Sequence, residues 1–454
     1  MAEPARPRER HDPTLIAAGP HLPRPRAGVI LAAGRSERLA GLTGGGSKAL
    51  IRLGGMALVE RAIRTLARLG VERIIVVVGY HAGPVAAVAR RASPAVQVIL
   101  AEDWEEGNAA SLAAAESAVA GAESFLLVTA DHVFSAGALE ALLDRGERSV
   151  LVDPAPSPEV WAEGTRAEID QQGHVVRLGK EVASGAVDCG AFVLDGEVFA
   201  AVRRARRAGD ATLAGALSLL PSLRAVSLPR RAWWWDVDTE EDLAAARRLL
   251  WGSLRRRGDG LVSRTLNRPL STRLSWAIAP LRPPPALLSW LSFAVVVAGA
   301  SLVASGLGIV GGILIQAGSV LDGVDGEVAR LTLRDGPGGA VLDGYLDRLS
   351  DAAVVLGLAV WALDRGGDPT AVVALAVAAT AGAMLSMAMK DRIAAQGLRA
   401  PSERLLDPLL SGRDARLLGV AILAMLAQPS IALGFIALTS LAASTARVAL
   451  ARSR

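Results

Sequence analysis

Cysteine is nearly missing: the 454 residues hold one, Cys189. No disulfide can close within the chain, and a reducing compartment is the setting this fits. Net charge is small as well, with 49 Lys and Arg against 45 Asp and Glu, a formal +4 at pH 7. That balance gives no footprint for nucleic acid, and no nucleic-acid partner is expected. The first 26 residues carry Pro, Arg and His but no apolar stretch, so they read as a disordered tail rather than a signal peptide or a span.

Apolar residues, in contrast, are plentiful and arrive in blocks. They make up 51% of the chain, and the mean hydropathy is +0.36. At the junction of two such blocks, between Leu321 and Arg348, stand Asp322, Asp325, Asp343 and Asp347. Spacings of three and four put each pair on one helix face. Converging carboxylates repel and resist desolvation, and a divalent cation with hard oxygen ligands, Mg²⁺ or Mn²⁺, relieves both. The pattern Asp322-x2-Asp325-Gly326-x2-Ala329-Arg330-x8-Gly339-x3-Asp343-x3-Asp347 resembles the CDP-alcohol phosphatidyltransferase family signature at every position. The resemblance implies that Asp322, Asp325 and Asp343 ligate two metal ions. Asp347 would be the general base on the acceptor hydroxyl, near enough to touch a metal as well. Gly326, Ala329, Arg330 and Gly339 would form the CDP site.

The N-terminal half has a different rhythm. Residues 28–33 (GVILAA) read as a buried strand that leads into Gly34-Arg35-Ser36-Glu37-Arg38, and Lys48 follows a run of three glycines. A strand, a Gly-rich turn and basic residues make a cradle for polyphosphate. Helices at 56–69, 82–92 and 109–120 alternate with strands at 73–78, 96–101 and 124–130, which implies a parallel sheet with ligands at its carboxyl end. Asp131 follows one strand directly, and Asp236 and Asp238 follow three tryptophans. This half resembles the MobA-like nucleotidyltransferase family, with Lys48-Ala49 where the family has Lys-Pro. The resemblance implies that Ala33, Gly34, Arg35, Ser36, Arg38 and Lys48 hold an NTP triphosphate. Asn108 and Ser111 would contact base and ribose, and Asp131 with Asp238, in preference to Asp236, would hold at least one Mg²⁺. Asp188 and Lys180 are candidates for the second substrate, and His132 for a structural neighbour of Asp131.

Residues 247–273 contain eight Arg among apolar side chains and Trp251, the pattern of an amphipathic helix on an anionic lipid surface. Six apolar runs follow, at 286–304, 307–321, 340–363, 370–389, 417–428 and 430–446. Basic residues gather in alternate loops, which puts both termini, the soluble half and all four motif carboxylates on the cytoplasmic side of a cell (inner) membrane. Arg413 and Arg416 are either an acceptor-phosphate site or part of that charge bias.

The expected architecture is therefore an α/β Rossmann-like nucleotidyltransferase domain followed by an all-α integral membrane domain of about six transmembrane helices. The expected boundaries are 1–26 tail, 27–250 nucleotidyltransferase, 251–285 basic linker and 286–454 membrane domain. The fusion resembles the bifunctional CTP:inositol-1-phosphate cytidylyltransferase/di-myo-inositol-phosphate-phosphate synthase family. The resemblance implies CTP and inositol 1-phosphate as substrates, CDP-inositol as intermediate, membrane lipid as surroundings and a homodimer through the membrane domain. Alternatives from the same residues are a head-group activator coupled to phospholipid formation, and a transferase with a non-catalytic nucleotide-binding domain.

Overall fold

The computed structural model describes residues 24–35, 38–183, 185–255, 258–396 and 412–452. The anticipated tail before residue 24 and Ser36 lie outside the described residues. The chain separates into two compact units, one running to Ala246 and the other from Arg247, which also takes in Leu53–Met56.

The first unit is built on a nine-stranded sheet. Its centre is β1 (Ala27–Ala32), paired in parallel with β2 (Arg73–Val78) on one side and β4 (Phe125–Thr129) on the other. β3 (Val96–Leu100) extends the parallel part beyond β2. Strands buried on both faces need an unbroken apolar run, and AGVILA and RIIVVV supply it. Alternate residues then serve opposite layers. Val29, Leu31, Ile75, Val77 and Leu127 face one core, whereas Ile30, Ile74, Val76, Leu126 and Val128 face the other. Each fully buried side chain of this kind contributes about 1.5–3 kcal/mol. Helices α1 (Leu58–Arg68) and α2 (Ala82–Ala92) link the parallel strands. Gly28 is required by close packing, because a Cβ there would come within 2.7 Å of Leu66 on α1.

After β4 the sheet is no longer parallel. β9 (Ala186–Leu194) runs antiparallel to β4, to β6 (Ser149–Asp153) and to β7 (Arg166–Ile169). β8 (Val175–Gly179) ends that edge against β7, and β10 (Arg224–Ser227) lies parallel to β6. The parallel sheet expected from sequence is thus the N-terminal part of a mixed one. A small ladder of β5 (His132–Phe134) and β11 (Trp234–Asp236) stands beside it. The helix expected over 109–120 breaks at its middle, leaving α3 as Asn108–Ala113. Two further helices are α4 (Ala136–Leu143) and α5 (Glu197–Arg207).

The second unit is helical. The basic linker contains α6 (Arg268–Ile278). The six apolar runs fall on α7 (Pro285–Ala304), α8 (Gly308–Leu331), α9 (Pro337–Asp364), α10 (Pro369–Ala395), α11 (Arg413–Met425) and α12 (Pro429–Arg452), with residue 307 before α8 and residues 426–428 beyond α11. Among the described residues, four helices are long and apolar enough to cross a membrane: Pro285–Ala304, Gly308–Leu331, Pro369–Ile393 and Pro429–Ala451. α9 carries the Asp343–Asp347 pair and further charges, and α11 is only 13 residues long, which is why these two fall short of that standard.

Small residues let the helices touch backbone to backbone. A Cβ on Gly312 would stand 2.6 Å from the Ala421 carbonyl of α11, and one on Gly357 2.4 Å from that of Ala300 on α7.

Candidate active sites

In the first unit the β-strands deliver acids and the Gly-rich segment delivers cations. Asp131 leaves the carboxyl end of β4, and Lys48 opens a short 3₁₀ turn capped by the Ser47 side chain. The Lys48 ammonium contacts the Asp131 carboxylate and lies 2.5 Å from Asp238 Oδ1. Arg38 donates to Asp238 Oδ2 at 3.1 Å and to Glu163 at 3.0 Å. Burial works against the charge on Lys48, but Asp131, Asp236 and Asp238 outweigh it and raise its pKa. Burial likewise opposes ionisation of Asp131, yet Lys48 and His132 hold its pKa well below the usual carboxylate range.

His132 lies closer to this centre than the sequence indicates. Its Nδ1 is 2.6 Å from Thr129 Oγ1, 2.8 Å from Asp131 Oδ1 and 3.7 Å from Asp236 Oδ1. Its ring stacks on Trp234 at 5.6 Å, which gives one of the three tryptophans a packing role. Burial disfavours the imidazolium, but Asp236 and Asp131 together push its pKa up to about 9. Asp236 itself is pushed up to about 6 by burial, against the pull of His132.

The nucleotide-binding candidates divide. Arg35 lies over the Tyr80 ring at 5.7 Å, while the Tyr80 hydroxyl donates to the Gly45 carbonyl at 2.6 Å and ties down the glycine run. Gly34 has open space where a Cβ would be, as close approach by a ligand requires. Asn108 begins α3 beside Gly107, whose φ of +124° suits glycine. Ser111 is buried and its hydroxyl is spent on the Gly107 carbonyl. Ala33 is buried with its carbonyl bonded to the Tyr80 amide.

In the second unit the four motif carboxylates do not act alike. Carboxylate oxygens of Asp322, Asp343 and Asp347 lie within 4.8 Å of one another. Asp325 is buried and accepts from the Ser289 hydroxyl of α7 and the Gly326 amide. Arg413, at the start of α11, reaches into the group. It is 2.8 Å from Asp347 Oδ1, 3.3 Å from Asp322 Oδ2 and 3.0 Å from Asp351 Oδ1. Arg416 is buried one turn further on. Arg330 donates to the Leu254 carbonyl at 3.3 Å, Ala329 is buried, and Gly339 has open space around it.

Asp351 is not among the acids that the sequence motif marks. The signal was there, because it continues the four-residue spacing of Asp343 and Asp347 along one face of α9.

Both centres suit a hard divalent cation. Each offers three groups with ligand atoms mutually within 4.8 Å: Asp131, His132 and Asp236 in one, and Asp322, Asp343 and Asp347 in the other. In the first, Asp236 Oδ1 is buried with no hydrogen-bond partner, an unusual condition for a carboxylate oxygen unless something else takes the lone pair.

Two family models match the chain, one in each unit. Residues 28–225 match the MobA-like NTP transferase domain, and residues 284–446 match the CDP-alcohol phosphatidyltransferase domain. A bifunctional IPC transferase and DIPP synthase of Rubrobacter xylanophilus is 34% identical over 89% of this chain and 92% of its own. A protein of the same name from Thermococcus kodakarensis is 33% identical over 74% of this chain and 76% of its own. One from Aquifex aeolicus is 33% identical over 73% and 76%. The chain is a transferase with a nucleotidyltransferase and a CDP-alcohol phosphotransferase domain, and it belongs to the family of bifunctional IPC transferase and DIPP synthases.

Proposed function

We propose that the chain makes CDP-inositol from CTP and inositol 1-phosphate, then passes the phosphoinositol group to a second inositol 1-phosphate with release of CMP. The observation that carries this reading is the pairing, in one chain, of two separate acid–cation centres with similarity to bifunctional enzymes along most of the sequence. The functional division lies at 27–250 and 286–454, with 251–285 as the basic linker on the lipid surface.

In the first reaction Lys48, Arg38 and Arg35 bind the triphosphate and spread its charge. Asp131 with Asp238 or Asp236 would hold the cation, His132 lies beside them, and Asn108 and Ser111 border the nucleoside. The inositol phosphate oxygen attacks the α-phosphorus and pyrophosphate leaves, so positioning and charge stabilisation supply the catalysis.

In the second reaction Asp347 takes the proton from the acceptor hydroxyl, whose oxygen bonds to the phosphorus carrying the donor inositol. The bond from that phosphorus to CMP breaks. Arg413 and Arg416 hold the acceptor phosphate, and Gly326, Ala329, Arg330 and Gly339 border CDP. Asp322, Asp325, Asp343 and Asp347 would hold two Mg²⁺ or Mn²⁺ ions, and the first centre at least one, and such ions would supply charge neutralisation for phosphate oxygens. The protein is a multi-pass protein of the cell membrane, with both centres on the cytoplasmic side and a homodimer contact between membrane halves.

Phosphorus NMR of the purified chain with CTP, Mg²⁺ and inositol 1-phosphate tests the reading. Pyrophosphate and a CDP-alcohol should appear first, then CMP and a new phosphodiester. No pyrophosphate with inositol 1-phosphate would overturn the inositol assignment.

A further inference from the structure

Glu327 lies inside the acidic motif yet contributes nothing to the carboxylate group at its centre. Its side chain is completely buried in α8. A carboxylate in such surroundings is costly unless its oxygens are matched, and here they are. Arg268 Nη1 donates at 2.8 Å, Ser271 Oγ at 2.8 Å, Thr272 Oγ1 at 3.4 Å and Ser275 Oγ at 2.7 Å. All four donors come from one face of α6. Arg268 is itself fixed by two bonds to Asp259, at 2.9 and 3.0 Å.

A second observation shows where α6 rests. A Cβ on Gly323 would meet Ser271 Oγ at 3.1 Å and Arg268 Nη1 at 3.3 Å. Gly323 and Glu327 are four apart and share a face, so α6 lies directly on the helical turn between Asp322 and Asp325. A third set of contacts extends the same polar seam. Gln316 donates to Asn267 at 2.8 Å, Asn267 to Ser319 at 3.0 Å, and Ser319 to Asp414 at 3.1 Å. Asp414 adjoins Arg413, which pairs with Asp322 and Asp347.

We propose that Glu327 is a positioning residue for the transfer reaction: by clamping α6 onto the Asp322–Asp325 turn, it holds those carboxylates at the orientation that divalent-metal binding needs. This inference rests on the reading of the motif as a metal-dependent transfer site. Residues that orient metal ligands from behind are commonly worth about 10–100-fold in metal affinity or activity. A member that only stabilised the fold would change the amount of folded protein and not the metal requirement.

The test uses the full chain in detergent, with Glu327→Gln and the milder double variant Ser271→Ala/Ser275→Ala. Two quantities are measured: the Mg²⁺ concentration for half-maximal CMP release from supplied CDP-inositol, and Mn²⁺ binding by electron paramagnetic resonance. Mn²⁺ binding is measured in an Asp131→Ala background, so that it reports the membrane half. Glu327→Gln should raise the Mg²⁺ requirement about 10-fold or more and weaken Mn²⁺ binding in step. The double variant should move both in the same direction by less, with CTP-dependent pyrophosphate release unchanged.

Unshifted Mg²⁺ and Mn²⁺ curves, in whichever variant elutes and melts like the wild type, would overturn the positioning role. If the wild type itself released CMP without any Mg²⁺ dependence, the site reading would fall and this inference with it.

Discussion

Lys48 Nζ lies 2.5 Å from Asp238 Oδ1, although 190 residues of chain separate them. The same ammonium also contacts Asp131. One cation therefore stands between the acid at the end of β4 and the acid just beyond β11. In the proposed mechanism Lys48 would have two functions, neutralising the acids that would hold a cation and providing positive charge for a triphosphate.

Lys48→Met should therefore lower cytidylyl transfer more than it lowers nucleotide binding. A loss of about 10²–10³ in kcat is expected for removing one preorganised charge from such a site. Pyrophosphate release at saturating CTP checks it. CMP release from supplied CDP-inositol should be unchanged, since that reaction belongs to the other centre.

The two centres also predict an order. Asp347→Ala should let CDP-inositol accumulate from CTP and inositol 1-phosphate, because in the proposed mechanism only the second reaction needs that carboxylate. Asp131→Ala should make nothing from CTP, yet give product when CDP-inositol is supplied. Phosphorus NMR distinguishes the intermediates directly. Failure of supplied CDP-inositol to rescue Asp131→Ala would contradict independent centres.

Asp188 gives a pH dependence. Burial pushes its carboxyl up to about 7, against the Gly190 amide and His132. A raised acid contributes stability that is present below the ordinary carboxylate range, near 4, and lost as pH rises through about 7. Asp188→Asn keeps the acceptor oxygen for Gly190 and removes the charge. It should raise the unfolding temperature at pH 8 and change little at pH 4. A gain of about 1 kcal/mol would appear as roughly 2–4 °C. Tryptophan fluorescence during heating follows it. An equal shift at both pH values would exclude ionisation as the cause.

Much of this arrangement is legible in the amino-acid sequence. Fixed spacing carries a great deal where a helix does the positioning, because Asp322 with Asp325 and Asp343 with Asp347 are local pairs. Buried parallel strands announce themselves by unbroken apolar runs such as RIIVVV. The later strands do not, because their antiparallel pairing depends on which neighbours the tertiary fold brings alongside. The same limit applies to the sites. The sequence favours Asp238 over Asp236 as a ligand, but only the fold puts His132 against Asp236 and Lys48 against Asp238. Asp325 has the spacing of a ligand, and only the fold shows that the Ser289 hydroxyl of another helix donates to one of its oxygens. Glu327 has no motif signal at all, since its partners lie more than 50 residues upstream.

The last prediction concerns packing between helices. α8 carries the first motif acids, and α11 begins with the arginine that meets them. Their spacing depends on Gly312, where an added Cβ would stand 2.6 Å from the Ala421 carbonyl. Backbone cannot move aside as a flexible side chain does, so the two helices must separate. Gly312→Leu should therefore displace Arg413 from Asp322 and Asp347 and reduce CMP release at least about 10-fold, on the scale of a small misplacement at a catalytic centre. Gly338→Ala is the control, because Gly338 has open space where its Cβ would lie. Cytidylyl transfer, measured as pyrophosphate release in the same samples, should stay at the wild-type rate per folded molecule. Equal losses of both activities would mean that the packing defect unfolds the whole chain. Loss of CMP release alone would show that contact between α8 and α11 sets the geometry of the membrane centre.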